Sequence, residues 1–277
     1  MEIVKSFLEI SLGITSLPSS NLWKIKETIK SELKIISSNF DKIYVTGGGS
    51  YKFSHEIKKL FGEFSVFDEM ESTVKGVFFS LNRLRNEQIS KPKFPMILAN
   101  VGTGASFIFI DENGKFTRIG GTNIAGGTLT GIYSLSKQQN SSMDLSTWIQ
   151  NGNKNNVDIL VRDIYGKDYG AVGLDGGIVA GSLAKIDKYD GNNWTGDICA
   201  SSAFMICSNL VHLLYLYASV HGALSILFSG SFVMIPAIST LLKSIATAKF
   251  SGKFESHILD FGGYLGCFGI ASELIYE

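Results

Sequence analysis

The sequence of 277 residues predicts an α/β protein, and three observations support this fold class. Apolar runs of strand length, such as 96–101 and 224–228, alternate with segments that have the apolar periodicity of helices. An Asn-Gly pair at Asn113 and Gly114 marks a hairpin turn between two strands. Strand–glycine–helix junctions recur along the chain. An α/β sheet of this kind binds its ligand at the carboxyl ends of its strands.

The same patterns predict the elements in order. Strands are predicted over 42–46, 63–67, 96–101, 105–110, 116–120, 224–228 and 254–259. Helices are predicted over 21–37, 52–60, 72–85, 197–219 and 236–247, with two more beginning near Thr128 and Gly263. The first stretch, 2–14, fits an edge strand or a short helix. Segment 86–95, which contains two prolines, is interpreted as a linker between lobes.

Composition narrows the classes of partner. Lys and Arg total 25, as do Asp and Glu, so the net charge is zero and neither nucleic acid nor an anionic membrane is predicted as a partner. Polar residues and a glycine interrupt the apolar segment 203–228, which favours a buried helix and strand over a membrane span. Three cysteines without a zinc or C-x-x-C spacing indicate reduced thiols and a cytoplasmic protein.

Glycine-rich turns after predicted strands indicate phosphate binding. They lie at 47–49, at Gly102 and Gly104, over 120–127 and at Gly230. Glycine lets the backbone approach a phosphate closely, and the start of a following helix supplies N–H groups. The alternative for any one of these sites is a tight turn with no ligand. Because several occur in one chain, phosphate binding is the preferred interpretation.

The common nucleotide motifs do not match. Segment 121–126 has the glycine spacing of a P-loop, but Gly127 stands where the lysine belongs. Segment 102–107 is not a G-x-G-x-x-G motif. A P-loop NTPase and a dinucleotide-binding domain are therefore not predicted, and a different phosphate site is needed.

Acid–base and anion-binding candidates lie on two further segments. Asp68, Glu69 and Glu71 stand between a short strand and a helix, where a carboxylate can accept a proton from a substrate hydroxyl. Acidic residues at a helix start also favour the helix dipole without any catalytic role. Ser106 and Arg118 lie on the two hairpin strands and can face one pocket, where arginine binds carboxylates. The alternative for Arg118 is an exposed hairpin arginine.

Seven segments, in the same order and spacing, resemble the eukaryotic-type (type II) pantothenate kinases. They are VTGGGSYKF (45–53), FDEMESTVKG (67–76), ANVGTGASF (99–107), RIGGTNIAGGTLTGI (118–132), NVDILVRDIYGKDYGAVGL (156–174), ILFSGSF (226–232) and GGYLGCFGIASEL (262–274). The resemblance implies the two-lobed ribonuclease-H-like fold of the acetate and sugar kinase, Hsp70 and actin superfamily, with ATP bound between the lobes.

The resemblance also implies a reaction and a set of site residues. The reaction is the phosphorylation of pantothenate to 4′-phosphopantothenate with ATP and Mg²⁺, the first step of coenzyme A biosynthesis. Glu69 matches the catalytic base, and Ser106 and Arg118 match residues that hold pantothenate. The nucleotide-binding residues by the same match are Gly102, Thr103, Gly104, Gly126, Gly127, Thr128 and Gly230. The match assigns no metal ligand.

The sequence lacks the family's N-terminal D-x-G-G-T phosphate loop, so an incomplete N-terminal lobe is expected over 1–92. A C-terminal lobe is expected over 93–277, with helix 197–219 forming a homodimer and acyl-CoA as a candidate regulator. Two alternatives stay open. The first is a non-catalytic pseudokinase that binds pantothenate or an acyl-CoA, or pairs with a full-length relative. The second is another kinase of the superfamily, such as an amino-sugar kinase.

Overall fold

The computed structural model describes residues 42–83, 91–136, 143–259 and 262–276. The strands are β1 (Tyr44–Thr46), β2 (Ser65–Phe67), β3 (Met96–Val101), β4 (Ala105–Ile110), β5 (Phe116–Thr122), β6 (Ile159–Leu160), β7 (Val179–Gly181), β8 (Ser225–Ser229) and β9 (Glu255–Ile258). The helices are α1 (Gly48–Lys52), α2 (Ser54–Phe61), α3 (Glu69–Arg83), α4 (Gly126–Ser136), α5 (Leu145–Asn151), α6 (Val161–Tyr165), α7 (Trp194–His221), α8 (Pro236–Phe250) and α9 (Leu265–Tyr276). The α/β class is confirmed.

The chain divides into two compact units, one of residues 1–85 with 265–277 and one of residues 86–264. The elements predicted over 2–14 and 21–37 lie outside the described residues. The division into lobes at residue 92 stays a prediction. The sequence assigns the last helix to the C-terminal lobe, whereas α9 belongs to the first unit and packs on α3.

The first unit contains a two-stranded parallel sheet of β1 and β2 and the pair of helices α3 and α9. Two glycines bring the helix backbones together. A Cβ atom at Gly76 would lie 1.9 Å from the carbonyl oxygen of Leu265, and one at Gly269 would lie 1.8 Å from the carbonyl oxygen of Ser72. Any larger residue at either position must therefore push the two helices apart.

The second unit is built on a five-stranded mixed sheet in the order β5-β4-β3-β8-β9. Strands β3, β8 and β9 are parallel to one another, and β4 and β5 continue the sheet as an antiparallel hairpin. Side chains alternate between the two faces of a strand. One face, with Ile97 and Ala99 of β3 and Phe107 of β4, packs into the apolar core with α7. The other face therefore carries Asn100 and Ser106.

Helix α7 is the longest element described, with 28 residues. Its inner face, which includes Leu210 and Leu214, is buried in the core. Its length and apolar composition would also suffice for a membrane span, a test that buried core helices pass as well. On its outer face Leu216 is 59% exposed and Val220 is 80% exposed.

Two buried carboxylates tie the loop-rich segment 152–193 to α7. Asp197 accepts hydrogen bonds from the backbone N–H of Asn153 at 2.7 Å and the hydroxyl of Tyr189 at 2.9 Å. Burial and the hydrogen bond to Asp197 raise the pKa of Tyr189. Asp158, which is fully buried, accepts from the hydroxyl of Ser201. These charge-assisted bonds fix the segment because a buried carboxylate without partners would be costly.

Candidate active site

One edge of the five-stranded sheet gathers the predicted nucleotide-binding turns. Because β3 and β8 are parallel, their carboxyl ends meet at this edge. The turn after β3 contains Gly102, Thr103 and Gly104, and the turn after β8 begins with Gly230. The amino end of β4 and the carboxyl end of β5 lie at the same edge because they run antiparallel to β3 and β4, respectively. The ligand site of such a sheet is expected here.

The start of α4 is bonded to the turn after β3. The N–H of Gly126 donates to the carbonyl oxygen of Gly102 at 3.0 Å, and the N–H of Gly127 donates to that of Thr103 at 2.9 Å. A Cβ atom at Gly126 would lie 2.5 Å from the Gly102 oxygen, so this contact requires glycine. The hydroxyl of Thr128 donates to the carbonyl oxygen of Asn123 at 3.2 Å. Two amides predicted to face phosphates are thus engaged within the protein, and phosphate binding by α4 stays a prediction.

The turn after β8 lies tightly against the end of β3. Gly230 has a φ of 98°, and a Cβ atom there would lie 2.3 Å from the carbonyl oxygen of Val101. Gly262 closes the other side, since its Cβ would lie 2.8 Å from the Cα of Ser229. The Ser229 hydroxyl is buried without a hydrogen-bond partner among the described residues. Glycine at 230 therefore sets how closely the two turns approach.

The structure brings Ser106 and Arg118 together. The Nε of Arg118 donates to the Oγ of Ser106 at 3.4 Å, a long hydrogen bond between side chains that are both open to solvent. Gly121, which is paired with Ser106, leaves room for the guanidinium. A Cβ atom there would lie 2.3 Å from the carbonyl oxygen of Ala105 and 3.0 Å from a terminal nitrogen of Arg118. The remaining N–H groups of the guanidinium make no hydrogen bond to the residues that the structure describes and can bind an anion such as a carboxylate.

A β-bulge in β5 produces this arrangement. Ile108 pairs with Arg118 and Phe107 pairs with Gly120, so Ile119 is an extra residue in the strand. Ile119 packs on the apolar core. In a regular strand, residues three apart lie on opposite faces, but the extra residue places Arg118 and Gly121 on the same face as Ser106.

Sequence reasoning missed Asn100. It lies in the central strand β3, directly opposite Ser106 on one side and Ser229 on the other. Its side chain is partly exposed and makes no hydrogen bond among the described residues. The available signal was the amide itself, because Asn100 is the single polar residue in the otherwise apolar strand MILANV.

The three acidic residues Asp68, Glu69 and Glu71 have different contacts in the first unit. Asp68 accepts a hydrogen bond from the N–H of Glu71 at 2.8 Å and so caps α3, which begins three residues before the predicted start. Lys75 bonds the carboxylates of Glu71 and Glu273, each at 2.8 Å, and these hydrogen bonds raise the pKa of Lys75. Glu69 is exposed and has no ion pair among the described residues. It is therefore the carboxylate that remains available for chemistry.

Glu69 also lies at a carboxyl edge. Strands β1 and β2 are parallel, and Gly47 and Asp68 follow their ends. A Cβ atom at Gly47 would lie 3.9 Å from a carboxylate oxygen of Glu69. Glu69 belongs to the first unit, whereas Ser106 and Arg118 belong to the second. That Glu69 meets a substrate held by Ser106 and Arg118 stays a prediction.

The described part of the chain contains no group of three or more His, Cys, Asp or Glu side chains that would hold a metal ion. A magnesium ion that arrives with a nucleotide does not need such a group. It keeps several waters and is held mainly by phosphate oxygens with one or two carboxylates. The described residues therefore assign no protein ligand to a magnesium ion.

Comparison with known proteins agrees with these features. Pantothenate kinase 2 of Oryza sativa subsp. japonica is 34% identical over 246 residues, which are 82% of this chain and 27% of that protein. Pantothenate kinase 1 of Arabidopsis thaliana is 34% identical over 251 residues, which are 83% of this chain and 65% of that protein. A protein named 4′-phosphopantetheine phosphatase from Mus musculus is 31% identical over 252 residues, 85% of this chain and 31% of that protein.

This chain thus spans only part of these relatives, from about a quarter to just under two thirds of their length. The family model named Fumble matches residues 4–273, which is nearly the whole chain. On this match, and on the relatives named as pantothenate kinases, the chain belongs to the Fumble family of pantothenate kinases.

Proposed function

We propose that this chain phosphorylates pantothenate to 4′-phosphopantothenate with ATP, the first step of coenzyme A biosynthesis. The observation that carries the proposal is the pairing of Arg118 with Ser106 at the ligand edge of the sheet, in a chain of this family. Pantothenate has a carboxylate at one end and a primary hydroxyl at the other. Arg118 suits the carboxylate because a guanidinium binds it with two parallel hydrogen bonds.

The proposed reaction also needs a base and a nucleotide site. Glu69 takes the proton from the substrate hydroxyl as that oxygen attacks the terminal phosphate of ATP, and ADP leaves. In the proposed ribonuclease-H-like fold, the turn at 102–104 and Gly230 lie beside the nucleotide. Mg²⁺ bound to ATP neutralises charge on the phosphates. Glu69 is exposed and has no ion pair within the described ranges, which supports its role as base because a carboxylate bonded to lysine would be a weaker proton acceptor.

The proposal extends to the oligomeric state, the partners, the location and the regulation of the chain. The exposed apolar residues Leu216 and Val220 on α7 support a homodimer that covers this face. The zero net charge supports a protein without nucleic acid or membrane partners, and the sparse cysteines support a cytoplasmic location. Acyl-CoA is the proposed regulator because it contains the pantoyl and β-alanine parts of pantothenate, although its β-alanine carboxyl is an uncharged amide and would not pair with Arg118 as the free carboxylate would.

The proposal is tested by ATP turnover with pantothenate, using the purified chain and the variant Glu69→Gln. We expect pantothenate-dependent ADP release, reduced about 10²- to 10⁴-fold in the variant, because the amide cannot accept the proton. Glu71→Gln is the matched control. It removes a neighbouring carboxylate that only pairs with Lys75, and the rate should stay within about twofold. Unchanged turnover in Glu69→Gln would remove Glu69 from the mechanism. Turnover with amino sugars but not with pantothenate would favour the amino-sugar kinase.

A second candidate is a non-catalytic subunit that binds pantothenate or an acyl-CoA, or pairs with a full-length relative. The mouse relative is a reason to retain this second candidate, because its name gives a phosphatase and not a kinase. Calorimetry separates the two candidates. Binding of pantothenate without binding or turnover of ATP supports the subunit, whereas binding of both with turnover supports the enzyme.

A further inference from the structure

A row of positions crosses four strands of the second unit on the face away from α7. The paired residues are Gly121 of β5, Ser106 of β4, Asn100 of β3 and Ser229 of β8. Direct partners in neighbouring strands point to the same face and lie about 4.8 Å apart. The guanidinium of Arg118 lies over the first part of this row, between Gly121 and Ser106. The row is thus a strip of the sheet surface that begins beside the Arg118 guanidinium, which can bind an anion.

The far end of the row is closed. Ser229 is fully buried, and Gly262 packs directly on it. Asn100 is therefore the last residue in the row whose polar side chain is still open to solvent. Its amide group has no hydrogen-bond partner among the described residues, although its neighbours in β3 are buried. The half-exposed Asn100 amide lies one strand from the Arg118–Ser106 pair, so its donor and acceptor groups are available to a ligand bound there.

We propose that Asn100 binds the central amide of pantothenate, a specificity contact that rests on the proposed function. Two methylene groups separate the carboxylate of pantothenate from its amide nitrogen, and this length is similar to the step of about 4.8 Å between adjacent strands. With the carboxylate on Arg118, the amide reaches the next strand, where Asn100 stands. The side-chain oxygen of Asn100 accepts from the substrate N–H, and its NH₂ group donates to the substrate carbonyl.

This contact selects among small acids. Arg118 and Ser106 bind a carboxylate whatever the rest of the ligand is, whereas Asn100 requires a donor and an acceptor one strand further on. A ligand that lacks the N–H leaves the side-chain oxygen of Asn100 without a partner, which lowers its affinity.

The test measures binding by calorimetry for two ligands, pantothenate and an analogue in which an ester oxygen replaces the amide N–H. For Asn100→Ala we expect about 10-fold weaker binding of pantothenate and little discrimination between the two ligands. The unmodified chain should prefer pantothenate. Asn113→Ala is the matched control, because Asn113 is an exposed asparagine at the turn of the same hairpin. Its affinities should equal those of the unmodified chain.

The outcomes separate this inference from the function on which it rests. If the unmodified chain binds pantothenate and Asn100→Ala binds it equally well, the role of Asn100 is wrong and the proposed function stands. If the unmodified chain does not bind pantothenate, both are wrong. Should the alanine variant fail to fold, Asn100→Ser gives the same comparison, since serine already stands at two other positions of the row.

Discussion

Both units place candidate site residues after parallel strands, but they support those residues differently. In the first unit, β1 and β2 have three residues each, and Val66 is 44% exposed. In the second, β8 is buried throughout and β3 is buried at every position except Asn100. The register of a buried sheet therefore fixes the residues proposed to hold the substrate. The position of Glu69, the proposed base, instead depends on the cap of α3 by Asp68 and on the two glycines that bring α3 and α9 together.

The largest effect on stability is expected at the turn after β8. Gly230→Ala adds a Cβ atom to a residue with a positive φ of 98°, and this atom would lie 2.3 Å from the carbonyl oxygen of Val101. The paired strands β3 and β8 leave neither the new Cβ atom nor this oxygen room to move. We expect a loss of about 4 kcal/mol in the free energy of unfolding, measured by chemical denaturation.

Gly222→Ala is the control for that substitution. Gly222 also has a positive φ, of 68°, but nothing lies within 4 Å of the added Cβ. It should cost about 1 kcal/mol, which is the backbone strain alone. Equal losses for the two variants would show that the packing between β3 and β8 is not tight.

A smaller effect is expected at the helix contact of the first unit. Gly269→Ala places a methyl group against the Ser72 carbonyl, but two helices can move apart more readily than paired strands. We expect a loss of about 2 kcal/mol by the same measurement. Gly48→Ala, which meets no atom within 4 Å, should change stability by less than about 0.5 kcal/mol. A larger loss in the free energy of unfolding for Gly269→Ala than for Gly230→Ala would show that the contact between α3 and α9 adjusts less readily than the contact between β3 and the turn after β8.

The smallest effect is expected at the rim of the sheet, on the edge strand β9. A hydrogen bond from Lys93 lowers the pKa of Glu255 below its ordinary value of 4.5, and His257 is the other ionisable neighbour, at 3.8 Å. Because the folded-state pKa is lowered, the pair stabilises the fold above pH 4.5 and loses this contribution as the pH falls through the lowered pKa.

Glu255→Gln should therefore cost only a few tenths of a kcal/mol at pH 7, since the lysine is well exposed. The difference from the unmodified chain should be smaller at pH 3 than at pH 7, in denaturation curves taken at both pH values. A difference that grew at acid pH would contradict the assignment of this ion pair.

Strands were predicted well where burial and turn chemistry agreed. The predicted bounds of β3 and β4 match the structure because both are apolar runs that end at glycine turns. Helix α3 was predicted to start at residue 72, but it begins at Glu69. The sequence does not show in advance that Asp68 caps it, because acidic residues before a helix also occur in loops.

Packing between segments that are distant in the chain could not be predicted from the sequence. The bulge at Ile119 depends on pairing with β4, and the return of α9 to the first unit depends on glycines whose neighbours lie nearly 200 residues away. The role of Asn100 was hidden for a similar reason. Its neighbours Ser106 and Ser229 come together only through the order of the strands.

The bulge at Ile119 changes the residue spacing that places two positions of β5 on one face. Arginine and glycine two apart in a strand would share a face in regular pairing, but here the pair that shares a face is three apart, at Arg118 and Gly121. In this chain, the spacing of three between Arg118 and Gly121 is therefore a consequence of the bulge. With the bulge retained, a gain or loss of one residue between the two would turn the guanidinium to the opposite face, whereas loss of the bulge residue itself would restore regular pairing and keep both on one face.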